Sequence, residues 1–390
     1  MRVLVASTAG AGHFRPLQPV LEAAARRGDE VLVVVPPGLL ASVEATGRSF
    51  RLGVEPSQDE LAQLWARFPS LPPGEAAVLV EREIFGRLCT AAMLPALEEA
   101  CREWRPDLVV REPCEYASAI VAERYGIPHA QVAISLAEIE ASSLALAAPA
   151  LEEFHHGIVG RLRASPYLTR FPRSLDPSPY PRTLRFTEHS ETNFEPLQDW
   201  WDGADAPLVY LTFGTVAGGL PVGPPTYRAA LDAVAGLEAR VLLTVGHSID
   251  PSSLGPMPAN VHLEPWVPQD QVFASAAAVV CHGGSGTTFG AVAAGVPLVI
   301  VPLFADQPRN ARRLSAAGVG LVVEPGDDTA DGMTALRPED APRLRAAIEA
   351  VLAGASYRRA ACDLADEMRA APVLDDLLAT LVAEPGANSR

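Results

Sequence analysis

Residues 277–304 constrain the fold of this chain more than any other stretch. An apolar run, AAVVC (277–281), meets a turn of small and hydroxyl residues, HGGSGTT (282–288). A helix-like segment near 287–294 and a second apolar run, LVIVPLF (298–304), follow. Apolar runs without alternation suit strands covered on both faces, the usual condition of a parallel sheet. A helix joining two such strands is a βαβ crossover, and repeated crossovers wind an open α/β sheet.

The same pattern opens the chain. Residues 2–7 read as an apolar strand, and 8–14 as a Gly-rich turn, TAGAGHF. Residues 16–27 read as a helix that Gly28 can end, and 30–35 as a strand closed by two prolines. Further strands are expected at 106–110 and in IPHAQVAIS (127–135), with a helix at 116–126 between them. The stretch 55–95 is Pro-punctuated and partly helical, and 136–170 is Ala/Leu-rich with no strand signal. Both read as insertions on the frame. Prolines and turn residues crowd 172–205 without periodicity, as a linker does. The pattern then restarts with a strand and Gly-bearing loop at 207–215, a helix at 227–236, a strand at 240–246 and a short strand plus loop in VHLEPWVP (261–268), and 335–385 is mostly helical. The expected division is a first Rossmann-like domain over 1–185, a linker over 186–206 and a second such domain over 207–369. A last helix, about 370–390, is expected to return to the first domain. Two doubly wound parallel-sheet domains facing one another would turn their strand carboxyl ends to a shared cleft, where ligands of such sheets bind.

Composition excludes several functions. A chain of 390 residues, 48% of them hydrophobic, can bury two cores. A net charge of −16, from 47 acidic against 31 basic residues, disfavours nucleic acid and anionic membrane as partners. No lysine occurs anywhere, which removes a P-loop lysine, a Schiff-base lysine and a lysine nucleophile. Cys89, Cys101, Cys114, Cys281 and Cys362 show neither a CxxC pair nor metal-ligand spacing, as expected of buried thiols in a reducing compartment. The chain enters a strand-like RVLVAS directly, and no apolar run reaches about 18 residues. A cytoplasmic protein is therefore expected.

The residues flanking the 282–288 turn add chemistry to the frame. Trp266 offers a flat plate on which a base can stack. The amide hydrogens opening the following helix, with its dipole, suit a pyrophosphate. Asp306 and Gln307, after the next strand, can hydrogen-bond sugar hydroxyls. Order and spacing over 266–307 resemble the donor-site signature of family 1 glycosyltransferases, strongly there and over 1–30, loosely elsewhere. The resemblance implies the GT-B architecture. It also implies that Trp266 stacks on the base, the Val267 backbone reads its edge, and Gln269 reaches the ribose. His282, Gly284, Ser285, Gly286 and Thr287 would hold the phosphates, with Gly214 and Thr215 from the FGT loop.

His13, in GAGHFRP, matches the family's general base, whose ordinary pKa near 6.5 suits proton removal around neutrality. A histidine there could equally serve only to satisfy a helix start. The family pairs it with an aspartate after the PDLVV-type strand; here REPCEY (111–116) puts Glu112 at that position, with Glu115 as the other candidate. A second departure is Gly290, where the plant-type pattern carries a glutamate on the ribose hydroxyls, so a dTDP-sugar is expected over a UDP-sugar. No D-x-D occurs, so no metal bridge to the diphosphate is expected and no cofactor is required beyond the sugar donor. The expected reaction is an inverting transfer to a hydroxyl of a hydrophobic aglycone. Phe14, Trp65, Phe68, Phe85 and Phe154 are candidates for its walls, or for core. A homodimer is compatible with the chain. The alternatives are a nucleotide-sugar epimerase-like enzyme and a catalytically silent nucleotide-binding auxiliary protein.

Overall fold

A computed structural model describes residues 1–68, 71–188, 196–326 and 333–383. The chain divides into two compact units, one of residues 1–189 with 370–390, the other of 190–369.

In the first unit β1 (Arg2–Ala6) leads into α1 (Ala11–Phe14), a single 3-10 turn, and α2 (Gln18–Arg26). The expected turn over 8–14 is thus already helical from Ala11, and His13 stands in a helical turn, not in the loop before one. β2 (Glu30–Val35) and β3 (Ser49–Leu52) follow, then α3 (Gln58–Arg67) and an eleven-residue π-helix, Leu79–Cys89, which runs on into α4 (Thr90–Trp104). After β4 (Leu108–Arg111) come α5 (Ala117–Tyr125), β5 (His129–Val132), α6 (Ala137–Phe154), β6 (Tyr167–Thr169) and β7 (Thr183–Arg185). Seven strands lie in the order β3-β2-β1-β4-β5-β6-β7, every pair parallel. Val3, Val5, Val33 and Val110 meet α2 on one face, while Leu4, Val34 and Val109 meet α4 and α5 on the other. This two-sided burial is why these strands read as unbroken apolar runs.

Two expectations need correction. The stretch 136–170 is not all insertion: Tyr167–Thr169 is a fully buried strand of the frame. The Pro-rich segment after 172 likewise contributes β7. Strands of three residues are too short for any periodicity to show.

The second unit repeats the plan. It contains β8 (Leu208–Thr212), α7 (Gly223–Val234), β9 (Arg240–Thr244), β10 (Val261–Glu264), α8 (Gln269–Ser275), β11 (Ala276–Cys281), α9 (Ser285–Ala293) and β12 (Leu298–Ile300). It continues with α10 (Gln307–Ala316), β13 (Gly320–Val322), α11 (Ala341–Ala353) and α12 (Ala355–Arg369). The six strands run β10-β9-β8-β11-β12-β13, again all parallel. β12 stops short of the expected 298–304 because Pro302 has no amide hydrogen to continue the ladder. In the incoming chain Trp200 stacks on His262, ring centroids 4.5 Å apart, and Arg240 lies over Trp201. A final helix, α13 (Leu374–Ala383), packs on α2 in the first unit, where Arg26 donates two hydrogen bonds to Asp375.

In both sheets the first strand, β1 or β8, has neighbours whose connections leave in opposite directions along the sheet. That is the switch point at which open α/β sheets bind ligands, outside the strand carboxyl ends.

Candidate active site

At the first switch point Ala6 of β1 is level with Arg111 of β4, so the residues that follow each strand meet. Glu112 leaves β4 with no exposed surface and accepts four contacts. Its Oε1 takes the Thr8 amide at 3.1 Å and the Thr8 hydroxyl at 2.7 Å. Its Oε2 takes the Cys114 amide at 2.7 Å and lies 3.2 Å from His13 Nδ1. Burial works to raise the Glu112 pKa. The charge and hydrogen bond of His13, with Thr8 and the Cys114 amide, outweigh it and hold the carboxyl below the usual range. The carboxylate is therefore charged at neutral pH, and it turns Nδ1 of His13 inward. Such a pairing leaves Nε2 as the ring nitrogen that can take a proton from a substrate. The side chain of His13 is 23% exposed, enough for a substrate to reach it.

Glu115, the other candidate partner, is engaged elsewhere. It accepts from the Ser118 amide and hydroxyl at the start of α5, and burial pushes it up to about 7. Among the described residues, His13, Glu112 and Cys114 are the grouping whose ligand-type atoms lie within 4.8 Å of one another. Burial holds the Cys114 thiol well above its ordinary pKa, and both Glu112 oxygens already accept hydrogen bonds, which suits the group to orienting an imidazole more than to gripping a cation.

At the second switch point Thr212 is level with Cys281, which brings Gly214 against His282. A Cβ on Gly214 would lie 2.8 Å from His282 Cε1, and φ there is +76°, so only glycine fits. A Cβ on Gly284 would likewise run into His282 Nε2. Burial lowers the pKa of the imidazole to about 4, the nearby Asp306 only partly opposing this. His282 is neutral near pH 7, a hydrogen-bond donor without charge of its own.

Behind it α9 begins at Ser285. Asp306 Oδ2 accepts from Ser285 Oγ at 3.2 Å and from Asn310 Nδ2 at 3.0 Å, and Asn310 also donates to the Gly283 carbonyl at 2.9 Å. Asn310, fully buried, thus ties the turn to α10; only its place four residues after Asp306, one helical turn on, could have marked it. Gln307 is buried as well, and its Oε1 accepts from the Leu303 and Phe304 amides, bracing the loop that presents Asp306. Ala305 in that loop has φ +56°, a strained value for a residue with a Cβ.

Gln269 donates to Tyr210 Oη at 3.3 Å and to Thr287 Oγ1 at 3.1 Å, while Val267 is buried. Trp266 is 49% exposed, a platform and not core. Gly286 and Thr215 are exposed. A Cβ on Gly290 would stand 2.7 Å from Phe273 Cε2, so the ring of Phe273 occupies the space a longer side chain would need.

The proposed acceptor walls divide. Phe85 comes beside His13, ring centroids 5.4 Å apart. Trp65 of α3 and Phe68 just past its end pair edge to face, and Phe154 packs at the end of α6. Phe14 is corrected: it is 1% exposed in the core between β1 and α2, because the helix begins early enough to turn it inward.

The comparisons with known proteins bear on the family and the fold. The N-terminal domain of the erythromycin biosynthesis protein CIII-like family matches residues 76–156, and its C-terminal domain matches 228–383. The chain is 31% identical to L-demethylnoviosyl transferase of Streptomyces niveus over 98% of each sequence. It is 30% identical to the elloramycin glycosyltransferase ElmGT of Streptomyces olivaceus over 98% of this chain and 97% of that one. The glycosyltransferase SnogD from Streptomyces nogalater superimposes with a TM-score of 0.77 at 27% identity over 99% of both chains. The glycosyltransferase VinC in complex with dTDP shares the fold, with a TM-score of 0.74 at 24% identity over 98% of this chain and 99% of that one. Two parallel-sheet units of the GT-B kind with these relatives define a natural-product glycosyltransferase of the antibiotic type. The chain belongs to the erythromycin biosynthesis protein CIII-like family. No helix among the described residues is long and apolar enough to cross a membrane.

Proposed function

We propose that this enzyme moves a deoxysugar from a dTDP-sugar to a hydroxyl of a hydrophobic polycyclic or macrocyclic aglycone, with inversion and with no metal ion in the chemical step. The reading rests on one observation, the 3.2 Å approach of His13 Nδ1 to the buried Glu112 carboxylate at the first switch point. His13 Nε2 removes the acceptor proton, the oxygen attacks the anomeric carbon, and the bond from that carbon to the diphosphate breaks as dTDP leaves. Glu112 stabilises the imidazolium so formed. Base catalysis of this kind contributes about 10²–10⁴ in rate.

The second unit supplies the donor side of the proposal. The diphosphate lies on the amide hydrogens that open α9, with the hydroxyls of Ser285 and Thr287 and a neutral His282 donating to it. Gly214, Thr215, Gly284 and Gly286 line its approach, Trp266 stacks on the base with Val267 and Gln269 beside it, and Asp306 with Gln307 holds the sugar. Phe273 at the back of Gly290 leaves no room for a carboxylate on a ribose 2′-hydroxyl, which supports thymidine over uridine. The dTDP bound to the similar VinC supports the same choice.

The test is His13→Ala, assayed for dTDP release with and without an aglycone over a panel of dTDP- and UDP-sugars. Turnover should fall by about 10²–10⁴ while dTDP affinity stays unchanged. Near-normal turnover would remove His13 from the role, and dTDP release needing no aglycone would favour an epimerase-like or hydrolytic enzyme.

A further inference from the structure

The π-helix Leu79–Cys89 carries a carboxylate that the reaction above does not use. An i→i+5 helix has more than four residues per turn, so residues four apart share a face. Phe85 of this helix lies against the His13 ring, and Glu81, four residues earlier, is on the same face. Glu81 receives one hydrogen bond, from Ser143 of α6, and its Oε2 is buried with no partner among the described residues. The π-helix packs along α6 at close range, since a Cβ on Gly86 would lie 3.3 Å from Ala147 Cβ. A buried carboxyl oxygen is rarely left without a hydrogen bond, and one that is calls for a physical reason such as a functional role.

We infer that Glu81 determines acceptor specificity: its carboxyl holds a second oxygen of the acceptor, next to the hydroxyl that His13 deprotonates. The preferred acceptors then carry two neighbouring oxygens, a hydroxyl beside another hydroxyl or a carbonyl. Burial raises the pKa of Glu81, with Ser143 and His13 opposing and Glu112 assisting. A carboxyl that keeps its proton to higher pH can donate to a carbonyl or hydroxyl oxygen, and Ser143 fixes its orientation. The inference rests on the glycosyl-transfer reading of His13.

The experiment compares alizarin, whose hydroxyls are adjacent, with a hydroxyanthraquinone bearing one isolated hydroxyl. Both are assayed with the dTDP-sugar that gives the fastest dTDP release. Wild-type enzyme should prefer alizarin in kcat/KM. Glu81→Gln, which keeps a donor, should retain the preference, and Glu81→Leu should reduce it by about 10-fold, the effect of one lost hydrogen bond, mainly through KM. Wild-type circular dichroism and a cooperative melting transition in Glu81→Leu show that the first unit, which carries residue 81, is folded. Equal use of both acceptors by wild type, rejection of both, or an undiminished preference in Glu81→Leu overturns the inference. None of these results touches the role of His13, which the His13→Ala experiment decides separately.

Discussion

Glu112→Gln separates the catalytic role of the buried carboxylate from its structural one. The charge sits 3.2 Å from His13 Nδ1. At an effective dielectric near 20, attraction to an imidazolium at this distance is about 5 kcal/mol, and partial exposure of the imidazole lowers it. A loss of roughly 3–4 kcal/mol from the transition state corresponds to about 10²–10³ in kcat. The structural cost follows from the four contacts. Oε1 serves the Thr8 amide and hydroxyl, Oε2 the Cys114 amide and His13. Whichever oxygen becomes an NH₂ group, one buried backbone amide, Thr8 or Cys114, then faces a donor. That costs about 1–3 kcal/mol, or roughly 2–12 °C in the melting temperature of the first unit. The assay is steady-state transfer with dTDP titration calorimetry on the same preparation. A large fall in kcat with unchanged dTDP affinity is expected. If melting temperature falls but kcat stays within about threefold of wild type, Glu112 serves only the fold and the mechanism is refuted. The acid limb gives a second check. Because the folded pKa of Glu112 is depressed, its stabilisation is complete above the unfolded value near 4.3 and is lost as pH falls through the folded pKa. Glu112→Gln should flatten that limb.

Glu140 predicts the opposite pH dependence. Burial pushes it up to about 8, its Oε1 accepts from the Ile134 and Ser135 amides, and Tyr167 Oη lies 2.6 Å from Oε2. Its stabilisation is complete below about pH 4.3 and is lost as pH rises to about 8, with a slope of at most about 1.4 kcal/mol per pH unit. Glu140→Gln, which mimics the protonated acid, should flatten thermal stability across that window; an unchanged slope would mean the carboxyl is not the proton carrier. Gly284→Ala should displace His282 and weaken dTDP binding by about 10-fold or more in calorimetry, while kcat at saturating donor moves less. Trp266→Ala should weaken dTDP binding by a loss of about 1–3 kcal/mol if the exposed ring carries the base, and unaltered affinity would assign that ring elsewhere.

Much of the frame was legible because it is written in buried strands. Apolar runs such as RVLVA and AAVVC need both faces covered, and the Gly-bearing turns after them have few conformations, so the two open α/β sheets follow from local chemistry. His13 and Glu112 could be picked out because each directly follows a recognisable strand, or the turn after one. The short strands β3, β6 and β7 could not, since SFRL, YLT and TLR carry neither a period nor an unbroken apolar run, and their pairing comes from neighbours far along the chain.

The sequence alone determined which groups stand at the ends of the strands, because strand, turn and helix are decided within a dozen residues. Only the tertiary structure decided what those groups are like chemically. A carboxylate becomes a charged partner of His13, or a proton holder such as Glu140, according to the charge beside it: each accepts two buried amides and a hydroxyl, but only Glu112 faces an imidazole. His282 is neutral because the assembled unit buries its ring. Phe14 is core because a helix starts early, and Glu81 stands near an imidazole because a π-helix packs against α6. Burial and hydrogen-bond count are properties of the assembled unit, and they set pKa and orientation.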